Sequence, residues 1–142
     1  YQMKILRTSL AVLLVFCAAY SFVQKTPAKT IAKQDGGMTV ADFLKKTDNK
    51  EKLVLVYFNA DWCMPCVKLK PIIEQLEIEE KTGVEILKID VDENPKVALH
   101  FEINALPLFM IYKNGKKVWE NNMFMQKSEI VKKLHVYMED KK

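Results

Sequence analysis

Arginine is almost absent from this chain, since Arg7 is the only one among 22 basic residues. Surfaces that bind nucleic acid usually rely on arginine side chains and on basic residues clustered on one face. Here the lysines alternate with aspartate and glutamate, and the formal net charge is only +4. The composition therefore disfavours nucleic acid as a partner and indicates a solvated surface on which positive and negative charges alternate.

Cysteine and histidine are also scarce, with three and two residues in the whole chain. Three cysteines are too few for the disulfide framework of a very small secreted domain. Cys63 and Cys66 could form half of a zinc site, but His100 and His135 lie far from them, unlike the close ligand spacing of zinc fingers. We therefore expect neither a metal nor a bound cofactor.

A signal peptide is predicted over residues 1–21. Lys4 and Arg7 precede an uncharged stretch from Thr8 to Val23, in which small residues follow the apolar core. This order is typical of a secretory signal, so we expect an exported, periplasmic or otherwise extracytoplasmic protein. The uncharged stretch falls short of the ~20 residues that span a bilayer, and an uncleaved anchor remains the alternative.

The rest of the chain divides into a tether at 22–37 and a folded domain at 38–142. The tether has no hydrophobic period of 2 or 3.6 residues, which indicates a flexible segment. Apolar runs and a hairpin signal at Asn114-Gly115 predict strands at 53–58, 84–89, 108–112 and 117–120. Helical spacing predicts helices at 39–44, 67–76, 96–101 and 127–138. This order predicts an α/β fold, with a central mixed sheet flanked by helices on both faces.

The first strong strand leads into Trp62-Cys63-Met64-Pro65-Cys66. A cysteine at a helix N-terminus faces free backbone N–H groups and the positive end of the helix dipole, which stabilise the nucleophilic thiolate. Cys63 is therefore the candidate nucleophile. Cys66, one turn later, is expected to be more buried and to resolve the mixed disulfide between Cys63 and a substrate. Pro65 stiffens the turn between them.

From residue 38 onward the chain resembles the thioredoxin family. The shared features, in the family's order, are Trp62-Cys63-x-Pro65-Cys66, Pro71, Asp92-x-Asn94-Pro95, Leu106-Pro107 and Lys113-Asn114-Gly115. The resemblance covers the folded unit and implies the thioredoxin fold and thiol–disulfide exchange. It also implies that the Leu106–Pro107 bond is cis and lies beside the sulfurs, that the Leu106 backbone pairs with an extended substrate segment, and that Trp62 walls the groove.

The chain departs from the family pattern beneath the cysteines. Many thioredoxins carry a buried aspartate there, which is thought to help deprotonate the second cysteine, whereas this chain has Tyr57. Lys88 matches the lysine that accompanies that aspartate. Water, Lys88 or Tyr57 could accept the proton of Cys66, and the sequence leaves all three open.

The surface beside the cysteines also differs. Met64 replaces the usual glycine between the cysteines, and Met123 stands at about the place of a glycine that shapes the groove. Together with Phe124 and Met125, these residues give either an unusually apolar substrate surface or ordinary core packing.

The direction of electron flow is predicted from the residues between the cysteines. Met64-Pro65 supplies no cation, whereas strongly oxidising relatives place a histidine there, so reduction is favoured over oxidation. In an oxidising compartment a reductant needs an electron donor, and a membrane dithiol carrier fits this role. We expect a monomeric reductase of protein disulfides. A disulfide oxidase or isomerase, or a non-catalytic module that binds client proteins, remains an alternative.

Overall fold

The computed structural model describes residues 36–139. The predicted signal peptide, Cys17 and nearly all of the predicted tether lie outside this range. Within it, no helix combines the length and the apolar character needed to cross a membrane.

Four helices and four strands make up the described range. In chain order they are α1 (Val40–Thr47), β1 (Leu53–Asn59), α2 (Met64–Glu79), β2 (Val84–Asp90), α3 (Pro95–His100), β3 (Leu108–Lys113), β4 (Lys116–Asn121) and α4 (Lys127–Glu139). The sheet has the order β2-β1-β3-β4. β1 is parallel to β2 and antiparallel to β3, and β3 is antiparallel to β4. The predicted mixed sheet is confirmed.

The centre of the sheet is β1, and its alternating side chains explain the layers. Leu55 and Tyr57 pack in one core cluster with residues of α2 and α4. Val56 and Phe58 pack in a second cluster with residues of α1 and α3. Because successive strand residues point to opposite faces, this apolar run buries both of its faces, and helices cover the sheet on each side.

The ends of the elements follow local signals. Thr39 caps α1, with its hydroxyl accepting the Asp42 N–H at 3.1 Å. The helix continues to Thr47, beyond the predicted end at residue 44. Thr47 is buried in the last turn, and its hydroxyl donates to the Leu44 carbonyl. Asn114 and Gly115 both have positive φ, 53° and 79°, as a type I′ hairpin turn requires.

The helix after the cysteines is longer than the predicted 67–76. α2 begins at Met64, immediately after its cap Cys63, and ends at Glu79. Pro71 lies inside it and cannot donate a backbone hydrogen bond to the preceding turn. The extension at the start of α2 places the whole Cys63–Cys66 segment on the first helical turn.

Candidate active site

The two cysteines form a disulfide at the beginning of α2, with an S–S distance of 2.06 Å. β1 ends at Asn59, and a short turn closed by the Cys63 N–H donating to the Ala60 carbonyl at 3.1 Å leads into the helix. Cys66 was expected to be more buried than Cys63; the exposed fractions are 4% for Cys66 and 5% for Cys63, so both side chains are buried to nearly the same extent. Both side chains belong to the core cluster under α2, so the disulfide is covered by the protein on its inner side.

The beginning of α2 offers an environment that favours negative charge on sulfur. Cys63 is the N-cap, and its sulfur accepts the Cys66 N–H at 3.2 Å. No acidic residue lies in the first turn, so no carboxylate of that turn opposes a thiolate. Free N–H groups and the helix dipole stabilise an anion at this position. The arrangement therefore suits Cys63 to nucleophilic attack in the reduced protein.

Pro107 lies at the same end of the sheet as the cysteines. The Leu106–Pro107 peptide bond is cis, and Pro107 is buried. Phe58 pairs with Leu108 in the antiparallel β1–β3 ladder, which places Pro107 beside the end of β1 where the loop to Cys63 departs. Leu106 is half-buried and packs against the core cluster that contains both cysteines.

Trp62 stands exposed next to the disulfide, with 66% of its surface accessible. Its indole N–H donates to the Asp92 carboxylate at 2.8 Å. Asp92 lies in the turn after β2, where the Asp90 side chain accepts the Asp92 N–H at 2.8 Å. Since β1 and β2 are parallel and pair up to Asn59 and Asp90, the loops that follow them meet. The sequence contained Asp92 in a motif but gave it no role, and the structure assigns it to holding Trp62.

Tyr57 occupies the space beneath the cysteines. It is 3% exposed, and its hydroxyl donates to the Cys66 carbonyl at 3.2 Å. The ring stacks on Phe109 with centroids 5.1 Å apart. Burial raises the pKa of Tyr57 to about 12. Tyr57 therefore contacts the backbone of the second cysteine as a neutral hydrogen-bond donor.

Lys88, the other candidate proton acceptor, lies beside Tyr57 in the β1–β2 register. Its ammonium group, however, pairs with Glu77 at 2.7 Å near the surface of the protein. The structure thus brings Tyr57 to Cys66 and directs the Lys88 amine toward a carboxylate of α2.

The apolar residues noted in the sequence divide between surface and core. Met64 and Met123 are 67% and 66% exposed, and Phe124 is 45% exposed. Met125 instead packs against the core cluster beneath α2. Because Phe109 pairs with Asn121 in the β3–β4 ladder, the loop with Met123 and Phe124 leaves the sheet at the end that carries Pro107. At this end of the sheet, exposed apolar side chains therefore project both from the start of α2, at Met64, and from the loop after β4, at Met123 and Phe124.

The histidines make other contacts. His100 packs edge-on against Phe101, with ring centroids 4.8 Å apart, and His135 lies 3.6 Å from a Glu80 carboxylate oxygen. Between residues 36 and 139 no three His, Cys, Asp or Glu side chains form a group able to hold a metal ion.

The raised pKa of Tyr57 predicts a loss of stability in alkaline solution. An ordinary tyrosine ionises near pH 10, so the stability due to the neutral buried hydroxyl is complete below pH 10 and is lost as the pH approaches 12. Two pKa units correspond to about 2–3 kcal/mol. In urea unfolding between pH 8 and 11.5, where the titration of the folded state is not yet complete, Tyr57→Phe should retain about 2 kcal/mol more stability than the parent. Lysines titrate equally in both proteins, so parallel losses would contradict the assignment.

The chain is similar in sequence and in structure to known thioredoxins. The family model described as Thioredoxin matches residues 36–136. A thioredoxin of Rickettsia felis is 39% identical over 80 residues, covering 56% of this chain and 76% of that protein. A thioredoxin-like protein of Synechocystis sp. is 32% identical over 98 residues, covering 69% of this chain and 93% of that protein. The crystal structure of Fasciola hepatica thioredoxin matches with a TM-score of 0.62 and 33% identity, covering 69% of this chain and 93% of that one.

Proposed function

The chain belongs to the thioredoxin family of thiol–disulfide oxidoreductases, and from that premise we propose that it reduces protein disulfides in an exported compartment. The observation that carries the proposal is the Cys63–Cys66 disulfide on the first turn of α2, with Cys63 as the helix cap. This position supplies the N–H groups and the dipole that stabilise an attacking thiolate.

The proposed reaction begins with the dithiol. The Cys63 thiolate attacks one sulfur of a substrate disulfide, the substrate S–S bond breaks, and a mixed disulfide forms as one substrate thiolate leaves. The Cys66 thiolate then attacks the Cys63 sulfur, the mixed disulfide breaks, and the second substrate thiolate leaves. Two electrons pass to the substrate, both substrate thiolates take up protons from water, and the Cys63–Cys66 disulfide remains.

The surroundings of the disulfide support docking of a polypeptide substrate. We assign Leu106 and cis-Pro107 to backbone pairing with an extended segment, and Trp62 to one wall of the groove. Met64 adds an exposed apolar side chain beside the attacking sulfur, and Pro65 restricts the turn between the cysteines. The substrate would then be a protein disulfide flanked by apolar residues.

Export, the electron donor and the oligomeric state complete the proposal. The basic, apolar and small-residue order at the N-terminus supports export. An oxidising compartment does not keep the dithiol reduced, so a membrane dithiol carrier returns two electrons after each cycle. The protein acts as a monomer, since one chain holds both cysteines and Pro107.

Insulin reduction in the presence of dithiothreitol tests the activity. The parent should precipitate insulin B chains faster than dithiothreitol alone, and Cys63→Ser should lower the rate to that of dithiothreitol alone because it removes the nucleophile. Val67→Ala, a change at an exposed residue of the same helix, serves as the matched control and should stay within about twofold. An inactive parent, or a fully active Cys63→Ser variant, would contradict the reductase and favour a module that only binds client proteins.

The reduction potential of the cysteine pair tests the direction of electron flow. The reduction potential of reducing thioredoxins is about −270 mV, and that of the strongest bacterial disulfide oxidant is about −120 mV. Equilibration with glutathione buffers, followed by mass spectrometry of alkylated thiols, should place this pair near the reducing value. A potential above about −180 mV would instead support an oxidase or isomerase.

A further inference from the structure

Between residues 36 and 139, no carboxylate is buried beneath the cysteines. In the part that the structure describes, all aspartate and glutamate side chains are at least partly exposed, and Thr47 is the one polar residue in the buried set. Tyr57 fills the space beneath the cysteines, and no acid of the described neighbouring strands and helices is buried beside it.

Tyr57 has the wrong chemistry for a base. Its hydroxyl donates to the Cys66 carbonyl at 3.2 Å, and a phenol accepts a proton readily only as phenolate. Because burial raises its pKa to about 12, only about one tyrosine in 100,000 is ionised at pH 7. In this structure the hydroxyl therefore contacts the backbone of Cys66 as a neutral donor.

The charged groups around Tyr57 come from two sides. A cavity of about 260 Å³ is lined by Tyr57 and, among charged residues, by Lys70 and Glu74 of α2, Lys88 and Asp90 of β2, and Glu93 of the following loop. Lys88 pairs with Glu77, and the Asp90 carboxylate accepts the N–H groups of Asp92 and Glu93. On the β3 side, Tyr57 meets the Phe109 ring. A polar cavity of this volume is large enough to admit several water molecules.

We propose that Tyr57 is a positioning residue for the resolving step, and that the proton of Cys66 passes to water rather than to any side chain. The inference rests on the proposed function. The Tyr57 hydroxyl holds the first turn of α2 through the Cys66 carbonyl, and the Cys66 S–H bond ionises to solvent. The thiolate then attacks the Cys63 sulfur, the bond from Cys63 to the substrate breaks, and the departing substrate thiolate takes a proton from water.

This assignment predicts a specific pH dependence. The rate of resolution follows the thiolate fraction of Cys66, so it rises about tenfold per pH unit below the pKa of that thiol. A side-chain base would add a plateau at lower pH, starting where that base loses its proton. At acid pH the mixed disulfide therefore persists in the unmodified protein.

The test is single-turnover mixing of the reduced full-length protein with a fluorogenic peptide disulfide between pH 5 and 9. Acid quenching and mass spectrometry follow first the formation and then the decay of the mixed disulfide. The parent should show a decay rate that rises with unit slope and a single inflection. Tyr57→Phe should keep that slope while decaying roughly two- to tenfold more slowly, the expected effect of losing one hydrogen bond. Its rate of mixed-disulfide formation should change less than about twofold.

Matched variants make the outcome decisive. Tyr112→Phe removes another buried hydroxyl, which lies 3.8 Å from the Met110 sulfur in the opposite core cluster, and should change neither rate. Glu74→Gln and Lys88→Gln, which change two charged residues that line the cavity, should not shift the pH profile of mixed-disulfide decay. The proposal would be overturned if the decay rate of the parent showed a plateau at low pH. It would also be overturned if the pH profile of decay were flattened or displaced in Tyr57→Phe, or displaced in Glu74→Gln or Lys88→Gln. Failure to form any mixed disulfide would instead refute the proposed function itself.

Discussion

Replacing Cys66 by alanine is expected to convert the protein from a catalyst with repeated turnover into a covalent trap for its substrates. The change removes the sulfur that displaces the substrate, while Cys63 keeps its position as the cap of α2. Without dithiothreitol, the reduced variant should keep one substrate bound per protein, whereas the reduced parent should release its substrate and form the Cys63–Cys66 disulfide. Non-reducing electrophoresis and mass spectrometry of the adduct measure both results.

The control for the trap uses the third cysteine of the chain. Performed in a Cys17→Ser background, the experiment assigns the adduct to Cys63, and adding Cys63→Ser should remove it completely. Adducts that survive in that triple variant, or repeated turnover by Cys66→Ala, would contradict the two-step exchange. Recovery of client proteins from the native compartment with the same variant identifies the substrates, since each is linked through a bond that dithiothreitol releases.

The layered fold was predictable because the order of strands and helices and the apolar run of β1 both indicate it. The run from Leu53 to Phe58 is apolar at every position, and only a strand with helices on both faces buries all of it. The Asn114-Gly115 turn was equally local, since its positive φ angles follow from the residue types. Helix ends were less predictable, because the last turn of α1 depends on the burial of Thr47 against the rest of the domain.

The site was predictable where it depends on position along the chain, and not where it depends on contacts between distant segments. The position of Cys63 between a strand and a helix was evident from periodicity alone. The bond from Trp62 to Asp92 joins residues 30 positions apart, and it arises from the parallel pairing of β1 and β2. The bond from Tyr57 to the Cys66 carbonyl requires the angle between α2 and the sheet, which residue types do not reveal.

Phe43→Ala is expected to destabilise the domain strongly without reaching the disulfide. Phe43 is fully buried, and its ring lies 4.6 Å from that of Phe101, 5.8 Å from that of Tyr112 and 6.1 Å from that of Phe58, measured between centroids. Removing a buried phenylalanine ring costs about 3–5 kcal/mol through lost burial and the cavity that remains. That is a large part of the roughly 5–15 kcal/mol that stabilises a typical domain. Urea unfolding of the oxidised protein measures the change.

The sheet separates this stability effect from the chemistry. Phe43 belongs to the core cluster with α1 and α3, whereas Cys63 and Cys66 belong to the cluster on the opposite face. Insulin reduction per folded molecule should therefore stay within about twofold of the parent at a temperature where the variant is folded. Leu44→Ala changes the neighbouring residue of α1, which is 48% exposed, and should cost less than about 1 kcal/mol. Equal destabilisation by the two variants would show that α1 does not hold this core, and a selective loss of activity in Phe43→Ala would show that the two clusters are coupled through the sheet.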